Sequence, residues 1–347
     1  MKKLQILIPQ YKETEDVVAT LLNSIQSQIN IDFNDIGVII VNDCSDVILT
    51  ENLFNRYTFD IEYFQNEENK GVSATRNACL ARATADYVMF CDADDAFIAN
   101  DAFQDIIRIL YKIPQKDKKP IDYLNTAFLE ELPRKNKETN KILDYIYVPH
   151  EKDGTFVHGK IVRRQFLIDC DIKWRDELKV HEDSYFWALC STFSENTQQT
   201  KKPLYIWKWR DESVSRHDDL YIFRTYKNFV NSNYFLVKEL LTRGKRKSAR
   251  IYAYSALLKA YAEMNLGRWL DPTKKEYKMN TELRLGFMYL EYKDLIDELT
   301  EQQKKEINRL LTNTFINKRN DGTMPVITFN NWLQYITMLA QAQIKKQ

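Results

Sequence analysis

Residues Tyr87–Phe97 read Tyr-Val-Met-Phe-Cys-Asp-Ala-Asp-Asp-Ala-Phe, and the rest of the chain is arranged around them. The apolar run Tyr87 to Cys91 predicts a buried strand. It stops at three carboxylates, Asp92, Asp94 and Asp95. In an open α/β sheet, ligands bind beyond the carboxyl ends of the strands, so these acids face a binding crevice. Hard divalent cations such as Mg²⁺ and Mn²⁺ take oxygen ligands, and Mg²⁺ is commonly held by one or two carboxylates plus substrate phosphates. An Asp-x-Asp at a strand end therefore suits a metal–diphosphate. A polar loop in which Asp92 or Asp95 caps a helix over Asp101 to Tyr111 accounts for the same residues. On this stretch alone both readings stand.

Working outward, Leu4 to Ile8, Ile36 to Val41 and Asp60 to Gln65 read as further strands. Thr14 to Ser27 and Val72 to Ala83 read as helices; in the first, Val17, Val18, Leu21, Leu22 and Ile25 recur at helical spacing. Apolar rather than alternating strands, interleaved with helices, predict an α/β fold with a mostly parallel sheet flanked by helices. Beyond it, strands are expected at Tyr123 to Leu129, Tyr145 to Val148, Ile172 to Trp174 and Leu204 to Trp209. A strand leading into a helix is expected over Thr155 to Phe166, and a helix opens near His181-Glu182-Asp183. A charged loop, Arg210 to His217, follows the last strand. From Leu220 the pattern is helical: Leu220 to Arg243, Arg246 to Glu263, Lys278 to Tyr292, Asp294 to Asn313 and Phe329 to Ala342. The expected domains are therefore 1–219, carrying the sheet, and 220–347, all-helical. Neither a G-x-G-x-x-G nor a Walker pattern occurs, which argues against dinucleotide dehydrogenases and P-loop enzymes.

The 347 residues carry 44% hydrophobic and 29% charged side chains, as in ordinary globular proteins. No apolar run reaches bilayer-spanning length, and Met1-Lys2-Lys3-Leu4 enters a strand directly, with no secretory h-region. The five cysteines lack metal-ligand spacing, so free thiols in a cytoplasmic setting are expected. The net charge of +1 conceals an imbalance: from Arg224 onward there are 22 Lys/Arg against 12 Asp/Glu, and before it 28 against 37. The densest basic run, Arg243 to Arg250, suits an anionic partner such as a membrane surface, a nucleic acid or a phosphate-rich polymer. A solvated helix face explains it equally well.

Six short motifs follow in order: Ile-Pro-Gln-Tyr ending at Tyr11, Asn-Asp-Cys-Ser-Asp from Asn42, Asn-Lys-Gly-Val-Ser-Ala-Thr-Arg-Asn from Asn69, Cys-Asp-Ala-Asp-Asp from Cys91, His-Gly-Lys from His158 and His-Glu-Asp from His181. Together, across residues 3–217, they resemble the family 2 inverting glycosyltransferases, which have the GT-A fold. The resemblance implies a UDP-sugar donor and a bound Mn²⁺ or Mg²⁺. It places Pro9 and Tyr11 along the nucleobase, Tyr11 by stacking, and has Asp43 accept the uracil N3–H. Asn42 departs from the acid that is usual at that place. It further implies that Arg76 faces the diphosphate, that Asp92 contacts the ribose or sugar, and that Asp94 holds the metal. Asp183 resembles the catalytic base, and His217, with Arg216 beside it, resembles a metal or diphosphate contact.

The chemistry fits these residue types. A metal and a cationic side chain neutralise the leaving diphosphate, while one carboxylate removes the acceptor proton during in-line, inverting attack. No second carboxylate acting as acid is needed, unlike in a glycoside hydrolase. Plainer roles exist: Glu182 and Asp183 as helix caps, Asp43 as a turn-former, Arg76 as a surface charge, His158 as a buried polar support of the acceptor wall, and His181 as structural. Trp174, Trp187, Trp207 and Trp209 read mostly as core, Trp209 being the best placed to stack on a sugar. The expected acceptor is a glycan or polyol-phosphate precursor of a surface polymer. The basic helices would bind that anionic acceptor, dock at the inner membrane face or form a homo-oligomer. Transfer to modified DNA or a protein side chain is a second reading, and an inactive nucleotide-binding scaffold a third.

Overall fold

The computed structural model describes residues 2–98, 101–112, 119–134, 142–150, 156–210, 220–265, 267–311 and 327–346. The chain divides into two compact units, Met1–Ser213 and Val214–Gln347. The first begins with β1 (Leu4–Gln10), α1 (Glu15–Gln26), β2 (Ile36–Asn42), α2 (Glu51–Phe54), β3 (Asp60–Gln65), α3 (Val72–Arg82) and β4 (Tyr87–Phe90). It continues with β5 (Ala96–Phe97), α4 (Ala102–Ile107), β6 (Tyr123–Arg134), β7 (Ile142–Val148), β8 (Lys160–Arg163), α5 (Arg164–Asp169), α6 (Glu182–Phe193) and β9 (Thr197–Trp207).

One nine-stranded sheet runs β3-β2-β1-β4-β8-β6-β9-β5, with β7 paired to β6. Its first four strands are parallel, with Leu4 opposite both Ile36 and Tyr87. Both faces of β1, β2 and β4 are covered, so they are apolar at most positions, whereas the edge strand β3 is partly exposed. Leu4, Ile6 and Ile8 join Val38, Ile40 and the α1 residues Leu21, Leu22 and Ile25 in one core. On the other face α3 packs against β1 and β2. There Phe90 meets Trp174 and Phe186 edge-on, with ring centroids 4.9 and 5.6 Å apart.

The expectation of a mostly parallel sheet is corrected. β4–β8, β8–β6, β6–β7 and β9–β5 are antiparallel, as many pairings as are parallel, so the sheet is mixed. Parallel neighbours need a crossover connection, usually a helix. Among the described residues no α-helix separates β6, β7 and β8. Ile172 to Trp174 is not a strand either. The Asn77 side chain occupies the backbone groups that a neighbouring strand would use: Nδ2 donates to the Trp174 carbonyl (2.8 Å) and Oδ1 accepts from the Trp174 N–H (3.0 Å). β9 begins seven residues before the expected Leu204, through a polar Thr-Gln-Gln-Thr-Lys-Lys run that pairs with β6 across a bulge.

The second unit contains α7 (Tyr221–Thr242), α8 (Arg246–Met264), α9 (Lys275–Asp297), α10 (Glu301–Leu311) and α11 (Phe329–Ile344). The expected break near residue 293 is absent; α9 continues to Asp297, and α10 starts only at Glu301. Trp269 fills this core beside Phe223 (4.6 Å) and Tyr226 (5.4 Å). Buried Glu282 is held by the indole N–H of Trp332 at 2.8 Å. Of the basic run, Arg243 pairs with Glu239, while Arg246 and Arg250 converge on Glu298. Those arginines are committed within the unit. No described helix is long and apolar enough to cross a membrane.

Backbones approach closely at Gly286, where a Cβ would lie 2.2 Å from the backbone carbonyl of Ile336 and 3.0 Å from the Ala340 Cβ. Overpacking costs about 1–3 kcal/mol or more, against a gain of about 0.8–1 in helix propensity on losing a glycine. Gly286→Leu should therefore lower the denaturant midpoint of the helical unit by the equivalent of about 2 kcal/mol. An unchanged midpoint would refute this packing of α9 on α11.

Candidate active site

The carboxyl ends of β1, β2 and β4 lie side by side. Gln10 pairs with Asn42, the Asp43 N–H donates to the Gln10 carbonyl (2.8 Å), and the Cys91 N–H donates to the Leu7 carbonyl (3.0 Å). Pro9, Tyr11, Asp43, Asp92 and Asp94 thus rim one end of the sheet. Tyr11 is 44% exposed there.

The acids after β4 divide into two kinds. Asp95 is 2% exposed and turned inward, accepting from the Tyr205 hydroxyl (2.6 Å) and the Lys208 N–H (2.9 Å). Burial first, then Asp94 and Asp92, raise its carboxyl well above the usual range. Asp92 and Asp94 are about a third exposed at the crevice. Asp92 Oδ1 accepts from Arg76 Nη2 at 2.9 Å, and Asp94 Oδ2 from Arg210 Nη1 at 2.8 Å. Glu13 lies 3.9 Å from the same Arg210. Burial raises the Asp92 and Glu13 carboxyls, and Asp94 adds to both shifts. An all-oxygen, negatively overcharged rim is the donor set that hard divalent cations take, so Mg²⁺ or Mn²⁺ fits the residues present. Asp92, Asp95 and His158 also bring potential ligand atoms within 4.8 Å of one another.

On β2, Asn42 and Asp43 do different work. Asn42 is fully buried; its Nδ2 donates to the Ser45 and Val47 carbonyls and its Oδ1 accepts from the Ser45 N–H. A carboxylate could not donate in this way, which explains the departure from the usual acid. Asp43 Oδ1 accepts from Asn66 Nδ2 and the Lys70 N–H, both at 2.9 Å, and Oδ2 from the Gly71 N–H at 2.8 Å. Burial pushes this carboxyl up, but the hydrogen bonds outweigh it and hold it below its ordinary range. Gly71 has φ +85°, a conformation that suits glycine, and it leads directly into α3.

Arg76 leaves α3 into a buried position, 4% exposed. Nη1 donates to Glu182 Oε1 (2.8 Å), Nη2 holds Asp92, and the guanidinium lies 4.5 Å from the Trp174 ring centroid. Burial opposes its charge, yet Asp92 and Glu182 more than offset that, so it remains a cation. Asp183 is the next residue, in the first turn of α6, and its Oδ1 accepts from the Ser184 N–H at 2.7 Å. Burial and the neighbouring Glu182 charge push its carboxyl up to about 8, against Arg76 and Lys160. His181, just before α6, is left-handed (φ 63°), and burial pushes its imidazole down to about 4, keeping it neutral. Arg216 and His217 lie outside the described residues.

With Asp92 and the Glu182-Asp183 pair joined through one guanidinium, acids distant in sequence meet at one place. The description "Glycosyl transferase family 2" matches residues 5–116. That stretch, about a third of the chain, is similar to glycosyl transferase family 2. The chain's fold is GT-A: the crystal structure of Staphylococcus aureus TarS 1–349 matches with TM-score 0.60 at 16% identity, covering 99% of this chain and 92% of that one. That TarS fragment has also been crystallised with UDP and with UDP-GlcNAc. In sequence, the poly(ribitol-phosphate) beta-N-acetylglucosaminyltransferase TarS of S. aureus strain Mu50 is 26% identical over 198 residues, 54% of this chain and 32% of TarS. An uncharacterized glycosyltransferase of Haemophilus influenzae is 34% identical over 96 residues, 27% of this chain and 30% of the relative. The chain thus covers about a third of the length of these curated relatives.

Some site residues escaped the sequence reading. Glu13 was visible only as a residue near a helix start and Arg210 only as part of a charged loop. Lys160, fully buried with its ammonium 5.9 Å from the Trp187 ring centroid, was visible only within the His-Gly-Lys motif. Glu13 carried one usable signal, its place just after a strand that ends at the crevice.

Asp43→Ala should cost about 2–3 kcal/mol, because three hydrogen bonds to a carboxylate disappear and leave two backbone N–H groups without partners. Denaturant unfolding measures it; wild-type stability would show that Asp43 does not hold the 66–71 loop.

Proposed function

We propose that this chain is a metal-dependent inverting glycosyltransferase that moves a sugar from a UDP-sugar to an acceptor hydroxyl. The observation that carries the reading is the Arg76 bridge, which sets the acid of the strand-end motif and the start of α6 against the same guanidinium. The acceptor is a glycan or polyol phosphate of a surface polymer. The name of TarS, a poly(ribitol-phosphate) glycosyltransferase, supports that class.

In this reading Tyr11 stacks on the base beside Pro9. Asp43 accepts the base N3–H and also anchors the loop before α3. Asp92 orients the donor sugar. Asp94, with His217, holds the Mn²⁺ or Mg²⁺, which supplies charge neutralisation for the leaving diphosphate. The resemblance assigns Arg216 a role toward the same diphosphate. Asp183 removes the acceptor proton as the hydroxyl attacks the anomeric carbon in line, giving a β-linked product from an α-linked donor. The second unit serves to bind the anionic acceptor, to contact the inner membrane face peripherally or to form a homo-oligomer.

Two measurements test this. Asp94→Ala should abolish metal-dependent release of UDP from a UDP-sugar panel, and Asp183→Asn should cut transfer by about 10²–10⁴-fold. Retained transfer in Asp183→Asn would remove that residue from the role of base. The pH profile gives a second check. A carboxyl raised to about 8 is protonated, and useless as a base, below that pH. The acceptor kcat/KM should therefore rise about tenfold per pH unit on the acid side and level off above pH about 8. A profile flat from pH 5 to 9 would contradict the assignment.

A further inference from the structure

We infer that Arg76 is the positioning residue of this site. By clamping Glu182 to Asp92 it holds the start of α6, and so Asp183, in register with the donor end of the crevice. The inference rests on the reading of Asp183 as base, and it gives Arg76 a different task from the diphosphate contact that the family resemblance implies.

The argument begins with the ten residues 172–181, which lead to α6 and form neither helix nor strand. Backbone of that kind needs partners from elsewhere. Besides local bonds from the Ile172 and Leu178 N–H groups to Leu167 and Arg175, they come from one stripe of α3, at positions i, i+3 and i+4, which share a helix face. Ser73 Oγ donates to the Leu178 carbonyl (2.8 Å). Asn77 engages both backbone groups of Trp174 and donates to Asp176 Oδ1 (2.9 Å). Between them Arg76 grips Glu182. The grip is also packed: the guanidinium lies over Trp174, whose ring stacks on Phe186 of α6 with centroids 4.2 Å apart and planes 1° from parallel.

The upstream end of α3 is fixed independently, through Asp43 and the N–H groups of Lys70 and Gly71. One helix therefore carries both the nucleotide-side loop and the segment that aims the base. Arg76 is the only residue of the stripe that reaches both acids. Its two terminal nitrogens each hold a carboxylate, and a forked guanidinium suits this where a single-pointed ammonium does not. A diphosphate contact would instead require the fork to face the crevice, whereas its side chain is 5% exposed.

The test uses the full chain. Wild type is first assayed for metal-dependent UDP release and transfer; inactivity with every UDP-sugar would defeat the transferase reading itself. Given activity, Arg76→Lys keeps the charge and loses the fork. Its kcat should fall by about 10²-fold, as misplacement of a reacting group by about 1 Å does, with donor KM and the calorimetric Kd for UDP–Mn²⁺ within about threefold of wild type. An unchanged kcat overturns the inference, and so does a tenfold weaker UDP Kd with little change in kcat, which would return Arg76 to the diphosphate. Glu182→Gln should reproduce the kcat loss with unaltered UDP affinity, and it decides the matter alone if Arg76→Lys unfolds by circular dichroism. The double variant should be no slower than the slower single, since both changes break one contact; multiplied losses would refute a shared role.

Discussion

Negative charge crowded at one end of the sheet is the constraint that the rest of the structure answers. Glu13, Asp92, Asp94, Asp95, Glu182 and Asp183 gather where β1, β4 and the start of α6 end or begin. Like charges repel more strongly as the local dielectric falls, and burial penalises each of them further. Several of these carboxyls accordingly sit above their ordinary range. Arg76 and Arg210 each tie acids from two segments of chain, and Lys160 opposes the charge at Asp183. A fold selected for stability alone would replace many of these acids with apolar residues. Keeping them makes sense where a cation and a charged ligand arrive to complete the balance.

The same residue type serves opposite ends in this crevice. Asp95 spends its oxygens on a backbone N–H and a phenol, so it shapes a strand end, and Asp43 holds the loop before α3 through Asn66 and two backbone N–H groups. Asp92 and Asp94 stay partly open at the rim. The Asp-x-Asp-Asp run therefore contains both readings raised by its sequence: two acids suited to a ligand, and a third that belongs to the scaffold.

Much of this was legible in advance. Strands covered on both faces announce themselves as unbroken apolar runs, and the acids that end them point to the crevice. What stayed hidden was whatever depends on partners far away in sequence. Ile172-Lys173-Trp174 looks like a strand because it alternates, yet the backbone groups of Trp174 are held by one asparagine side chain nearly a hundred residues upstream. The first half of β9 carries no apolar signal because its residues are mostly exposed. The antiparallel half of the sheet follows from how the chain returns, which composition does not encode. Arg76 was recognisable as important, but its double grip was not, since Glu182 lies 106 residues further on.

The close approach at Gly286 reaches further than stability. Sliding α9 along α11 by four residues, about 6 Å, would bring Glu282 or Leu290, which share the face of Gly286, against the Ile336 carbonyl, where only a hydrogen atom fits. That notch works as a detent: the two helices are held in a single axial setting. A push on one is passed to the other as a rigid rod passes force, and is not absorbed by slippage.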